Sequence, residues 1–242
     1  MFEAFFWGVV ASSSLLIGAI IAMRIKMNKK VIGLIMAFGV GVLVSAIAFE
    51  LIDEAFKTAG ASKSLAFGLC LGALSFFGGD YLIDHMGGHH RKNSTGKSGN
   101  SGLAIVLGSV LDGIPESIVI GLGLFHGGAV GIAMLIAVFA SNLPEAISAT
   151  SGLLKNGWKK SSLVAMWTLV VFVSGLASVA GFALFDTASP DVVAFVLAFS
   201  AGALLTMIAD TMMPEAYEDA GPLVGIITTL GFGVAYWINI LS

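Results

Sequence analysis

Two short motifs in this 242-residue chain place carboxylates where water is scarce. The first reads Asp112-Gly113-Ile114-Pro115-Glu116-Ser117-Ile118. The second reads Ser141-Asn142-Leu143-Pro144-Glu145-Ala146-Ile147, and both lie inside apolar runs of membrane-spanning length. An acidic side chain at the middle of a bilayer costs about 2.5–3.5 kcal/mol on insertion scales. Asp112, Glu116 and Glu145 therefore each need a partner, yet neither run holds a Lys or Arg. What can compensate is a bound cation, a proton, or hydrogen bonds from polar neighbours. Asp112 and Glu116 stand four apart, as do Ser141 and Glu145, so each pair shares a helical face. Asn142, three before Glu145, reaches the same region. Each proline removes one intrahelical bond and kinks its helix, which frees the carbonyls of Leu111 and Ala140. Two or three carboxylates, an amide and a hydroxyl between two kinked helices make an oxygen-rich set that suits a divalent cation. Without thiolates, the set does not dictate which one. The competing readings are protonated acids that serve as packing contacts, and a proton relay.

The remaining composition says what must hold these groups. The chain is 57% hydrophobic and 11% charged, against about 25% charged in soluble domains, which predicts an all-α integral membrane protein. Hydropathy divides it into about eight transmembrane helices, roughly 4–23, 31–52, 64–84, 102–125, 128–153, 162–185, 191–213 and 222–241. Long continuous apolar runs do not read as barrel strands, and helices satisfy their own backbone in lipid. The first run is read as a span rather than a removed signal, because it lacks a basic leading region. The short Phe125-His126-Gly127-Gly128 joint predicts a tight antiparallel hairpin between spans four and five.

Ten of the twelve Lys and Arg residues follow spans one, three and five; only Lys57 and Lys63 fall on the alternate side. The positive-inside rule then places both termini outside the cytoplasm. Residues 1–242 form a single transmembrane domain, with 85–101 as a flexible cytoplasmic loop that carries His85, His89 and His90. Neutral imidazoles there can collect metal. Cys70 stands alone, which excludes a disulfide framework or a thiolate-rich metal site. Small-residue spacings such as Gly68/Gly72 and Gly127/Gly131 let helices approach closely and permit a homodimer.

The sequence also repeats itself. The two Pro-Glu motifs match at equal depth in spans that run in opposite directions, and a Gly-Leu pair follows each, at Gly123-Leu124 and Gly152-Leu153. A weaker pairing links span two, from Gly41-Val42-Leu43 to Glu54-Ala55, with span seven, from Gly202-Ala203-Leu204 to Glu215-Ala216. Such inverted-topology repeats surround substrate sites near the midplane of many transporters. Asp210, inside the apolar run of span seven, is expected to face the same interior as a site or pathway residue. Glu50 lies nearer the outer end of span two. Asp53, Glu54 and Glu215 sit near span ends, where solvation suffices, and Asp80 and Asp84 approach the cytoplasmic face.

These features together resemble the ZIP family of metal-ion transporters over nearly the whole chain. The family's span-four motif is His-Asn-x-Pro-Glu, which here reads Asp112-Gly113-Ile114-Pro115-Glu116. Bacterial members often carry a polar pair before the span-five x-Pro-Glu, here Ser141-Asn142. The match implies that Asp112, Glu116, Ser141, Asn142 and Glu145 fall on metal-site positions. Three departures stand out: Asp112 replaces histidine, Gly113 replaces asparagine, and Ser178 stands where relatives often have a span-six acid. Fewer ligands imply one metal rather than two, and carboxylate in place of imidazole makes the site harder.

The expected function is a divalent metal cation permease of the cell (cytoplasmic) membrane that carries its substrate into the cytoplasm by alternating access. Zn2+ is the first choice of substrate, with Fe2+ or Mn2+ as alternatives. No organic cofactor and no nucleic-acid partner is expected, and the chain is not expected to be an enzyme. The rivals are an intramembrane hydrolase with Asp112 and Glu116 as acid and base, and a transport-inactive metal-binding sensor or scaffold. Against the hydrolase, no HExxH, GxSxG or paired catalytic aspartate motif occurs.

Overall fold

The computed structural model describes residues 1–83, 85, 101–125, 132–185 and 188–241. Among these residues every regular element is helical, and the helices join into eight continuous rods. They are α1 (Phe2–Arg24), α2 (Lys29–Ala46) continuing through Ile47–Ile52 into α3 (Asp53–Ala59), α4 (Lys63–Ile83), α5 (Ser101–Phe125), α6 (Ile132–Lys155), α7 (Lys160–Phe185), α8 (Pro190–Met207) continuing through Ile208–Met212 into α9 (Met213–Ala220), and α10 (Leu223–Leu241). Seven of the rods hold stretches long and apolar enough to cross a membrane. The other, α6, is 24 residues long and carries the polar Ser141, Asn142 and Glu145. Large apolar side chains such as Phe67, Leu74, Ile226, Leu230 and Trp237 are exposed along α4 and α10. A water-soluble surface does not carry such faces; a lipid-facing one does. His89, His90 and the basic residues after α4, and the joint between α5 and α6, lie outside the described residues.

The two longest rods, Lys29–Ala59 and Pro190–Ala220, have 31 residues each. At 1.5 Å per residue such a rod reaches about 47 Å, against a hydrocarbon core of about 30 Å. Their ends therefore project into water, which accounts for the acids found there. Asp53 pairs with Lys57 at 2.7 Å on an exposed surface. Asp219 pairs with Lys29 at 3.3 Å, and the Lys160 ammonium donates to the Met23 carbonyl at 3.2 Å. These two contacts gather the α1–α2, α6–α7 and α9–α10 connections on one face.

The weaker sequence repeat turns out to be built in detail. Both long rods open into a π-helical turn at the same register, Ile47–Ile52 and Ile208–Met212. The Ile47 amide bonds the carbonyls of Leu43 and Val44, and the Ile208 amide those of Leu204 and Leu205. Both rods end on a glycine at positive φ, Gly60 at 64° and Gly221 at 69°, a conformation that glycine adopts without steric cost. The packing obeys the same symmetry. A Cβ on Gly41 would collide with the Thr228 carbonyl of α10, and one on Gly202 with the Leu69 carbonyl of α4. Reciprocally, Gly72 of α4 sits against Phe199, and Gly231 of α10 against Phe38. Side-chain-free contact of this kind is how helices associate without a hydrophobic driving force.

The rods form two packing groups. In one, α2 lies along α10 and α8 along α4; in the other, α1 lies along α6 and α7, and α7 along α5. Trp167 of α7, fully buried, donates its indole N–H to Thr150 of α6 at 2.8 Å and fixes that second group internally. The groups meet where α2 packs on α6 and α8 on α5, around a shared core that includes Leu43, Met207, Val119 and Val138.

Candidate metal centre

Both Pro-Glu motifs fall in mid-helix, Pro115 within α5 and Pro144 within α6. Proline cannot donate to the carbonyl four residues back. For Pro144 that carbonyl belongs to Ala140, and it lies against Gly39 of α2, where an added Cβ would stand only 2.9 Å away. The carbonyl that Pro144 leaves without its helical donor thus packs against a residue without a side chain on the neighbouring rod.

The helices that carry the motifs touch each other sparingly. The joint of the expected hairpin lies outside the described residues; along the described lengths, α1 packs on both helices and α7 on α5. What joins α5 to α6 directly is polar. Glu116, 1% exposed, accepts from the Ser141 hydroxyl at 3.2 Å on one carboxylate oxygen and from the Asn142 amide at 3.2 Å on the other. In the opposite sense the Ser109 hydroxyl of α5 donates to Glu145 of α6 at 3.5 Å. Each glutamate is therefore held by side chains of the facing helix. The Ser141 hydroxyl also lies 3.0 Å from the Val138 carbonyl; with one proton it can serve one of these acceptors at a time.

Asp112, Ser141, Asn142 and Glu145 are all buried with Glu116, and the charges of Glu145 and Asp112 act on Glu116. No Lys or Arg lies between residues 101 and 154. Among the described residues no three acidic, histidine or cysteine side chains converge closely enough to enclose an ion by themselves. The hydroxyl and the amide are thus needed to complete any closed donor set.

Ser109 was not among the residues picked out from sequence, although its spacing offered a signal. It lies three before Asp112 and seven before Glu116, on the face they share. Ser174 of α7 is a second such residue: its hydroxyl would stand 3.3 Å from a Cβ on Gly113. Ser178, the span-six position singled out from sequence, instead packs at the crossing of α1, α5 and α7, against Gly8 and Gly121. Asp210 stands apart from the buried group, exposed on the π turn of Ile208–Met212. Glu50, on the matching turn of Ile47–Ile52, is half-buried and faces Asn239 of α10 and the Met134 backbone of α6.

The family model of ZIP zinc transporters matches residues 84–239, a stretch that includes both Pro-Glu helices and everything that packs on them from α7 to α10. The chain belongs to this family. Comparison with curated proteins gives no match. Membership makes this ZIP protein a multi-pass membrane transporter of divalent metal cations and not an enzyme. The intramembrane hydrolase is thereby set aside.

Proposed function

We propose that this ZIP transporter carries Zn2+ into the cytoplasm through a site formed by Asp112, Glu116 and Glu145 with Ser141 and Asn142. The observation that carries the assignment is the cross-bracing of Glu116 and Glu145, two buried carboxylates held by the facing helix with no Lys or Arg between residues 101 and 154. Taking a carboxylate out of water costs several kcal/mol even after relaxation. A cation passing between α5 and α6 removes that cost, and the site in turn replaces the cation's water shell with oxygen donors. Each carboxylate oxygen of Glu116 keeps a lone pair beyond the one used by Ser141 or Asn142, so hydrogen bonding and metal binding are compatible.

An all-oxygen set also accommodates Fe2+ and Mn2+. Asp210, exposed on span seven, lines the route rather than completing this set. Alternating access follows from the two packing groups: α5 and α6, with α1 and α7, rock against the remaining rods and open the site to one side and then the other. On this reading the basic face is cytoplasmic, as the positive-inside rule favours, both termini lie outside, and the protein works in the cytoplasmic membrane.

The test is 65Zn2+ uptake into proteoliposomes by the wild type and by Glu116→Ala and Glu145→Ala. Flux is expected to fall at least tenfold in each variant, with thermal stability retained. Wild-type flux in both would refute the site while leaving the family's transport activity untouched.

A further inference from the structure

On the basic face lies a cavity lined by none of the proposed metal-site residues. It has a volume of about 620 Å³ and is enclosed by the end of α1, the α1–α2 link, the start of α2, the end of α6 and Asp219 of α9. This size is within the usual range of small-molecule sites. Its charged lining comprises Arg24, Lys26, Lys29 and Lys155 against the single carboxylate of Asp219, and Asp219 is already paired with Lys29 at 3.3 Å. The rest of the wall is largely apolar, with Met23, Ile25, Met27, Ile32 and Leu154. A cation-transport vestibule would be lined the other way.

A second, independent feature points to the same ligand class. Helix α2 begins at this cavity, capped by Asn28, whose side chain accepts from the Lys30 amide at 3.0 Å. The first turn holds no acidic residue and two lysines, Lys29 and Lys30. Helix N-termini carry partial positive charge that favours anions and disfavours cations. Lys29 and Lys30 thus add to a field that nothing in that turn offsets. Arg24 and Lys155 end α1 and α6, where helix dipoles favour cations. The dipoles and the positive-inside bias account for basic residues on this face, but not for the convergence of Arg24, Lys26, Lys29 and Lys155 on one cavity.

We propose that this cavity binds a phosphate-class anion, and that its apolar wall suits the headgroup of an anionic phospholipid with the glycerol and upper acyl chain beside it. Basic pockets at the ends of transmembrane helices recognise headgroups through this combination of charge and apolar surface. A lipid seated there would join α1, α2, α6 and α9, elements of both packing groups.

The test is thermal unfolding of the full chain in an uncharged detergent with phosphatidylglycerol, phosphatidylcholine or inorganic phosphate added. Phosphatidylglycerol at saturation is expected to raise the midpoint by roughly 5–10 °C, and phosphatidylcholine to leave it unchanged. The shift should vanish in Arg24→Gln/Lys26→Gln/Lys155→Gln and persist in Lys57→Gln/Lys63→Gln, which removes as many as two charges from the other face. Should the triple variant fold poorly, Lys26→Glu in the non-helical link repeats the measurement and should lose most of the shift. A shift with phosphatidylglycerol alone identifies a lipid, and one with inorganic phosphate as well identifies a site open to soluble anions. Equal shifts in the wild type and the triple variant, or no shift with either anion, would overturn the proposal.

Discussion

Asn142→Ala is the sharpest probe of how the proposed site is held. The Asn142 amide is the donor to one carboxylate oxygen of Glu116, at 3.2 Å, and Ser141 serves the other oxygen at the same distance. Ser141 can turn its proton to Val138 instead, so the amide is the more dependable of the two. A hydrogen bond to a charged group contributes about 1.5–3 kcal/mol. If the amide orients Glu116 for the metal, its loss should weaken Zn2+ binding by about 10- to 150-fold. Ser141→Ala should cost less, and the double variant should lose less than the sum, because both act on one carboxylate. Calorimetric titration of detergent-solubilised protein with Zn2+ measures each constant. Thr168→Ala, an exposed hydroxyl bonded to its own helix at Val164, is the control and should bind like the wild type. The opposite sign is also informative. Were the amide merely a stand-in that the metal must displace, Asn142→Ala would bind more tightly, and the orienting role would be refuted.

Two further outcomes are expected. In a Cys70→Ser background, a membrane-impermeant maleimide applied to intact cells should label Lys57→Cys and spare Lys159→Cys; the reverse pattern would invert the orientation. Gly41→Ala and Gly202→Ala should each lower stability by about 1–3 kcal/mol, because both Cβ atoms would meet backbone carbonyls. Gly233→Ala, whose added Cβ meets nothing within 4 Å among the described residues, should be neutral or slightly stabilising, and equal melting points for all three would contradict the close-packing account.

Much of this was legible from residue order because lipid imposes a simple rule: apolar runs of sufficient length become helices. The eight rods, the paired Pro-Glu motifs and the span-two/span-seven repeat all follow from it. Rotation about a helix axis is a different matter. Asp210 sits in a run that is apolar on every side, so no periodicity tells which way it points, and its exposure had no sequence signal. The π turns at Ile47–Ile52 and Ile208–Met212 were hidden for a related reason. A turn with one extra residue needs no particular side chain, only neighbours that accept the bulge. The sparse contact of α5 with α6 was obscured by their adjacency in sequence, which says that two helices are linked but not that they pack. Ser109 was legible by spacing and missed because a lone serine in an apolar helix is commonplace.

Gly113 bears most directly on what the proposed site can hold. Elsewhere on α5 a glycine is demanded by packing: a Cβ on Gly121 would fall on the Ser178 carbonyl. Gly113 is different. It is buried, yet among the described residues the only neighbouring heavy atom within 4 Å of an added Cβ is the Ser174 hydroxyl at 3.3 Å, a group that can rotate aside. A clash at Cβ therefore does not account for glycine at this position, where the motif that the sequence resembles reads asparagine. On the proposed assignment the glycine supplies no donor beside Asp112, so a water is the ligand expected in its place. Hard divalent ions retain waters readily, whereas Zn2+ favours nitrogen and sulfur donors in closed sites. Asp112 in place of imidazole pushes in the same direction as the missing amide. On the proposed assignment, both departures move the centre towards an oxygen-only shell for one ion, and selectivity between Zn2+, Fe2+ and Mn2+ then rests on how closely α5 and α6 approach.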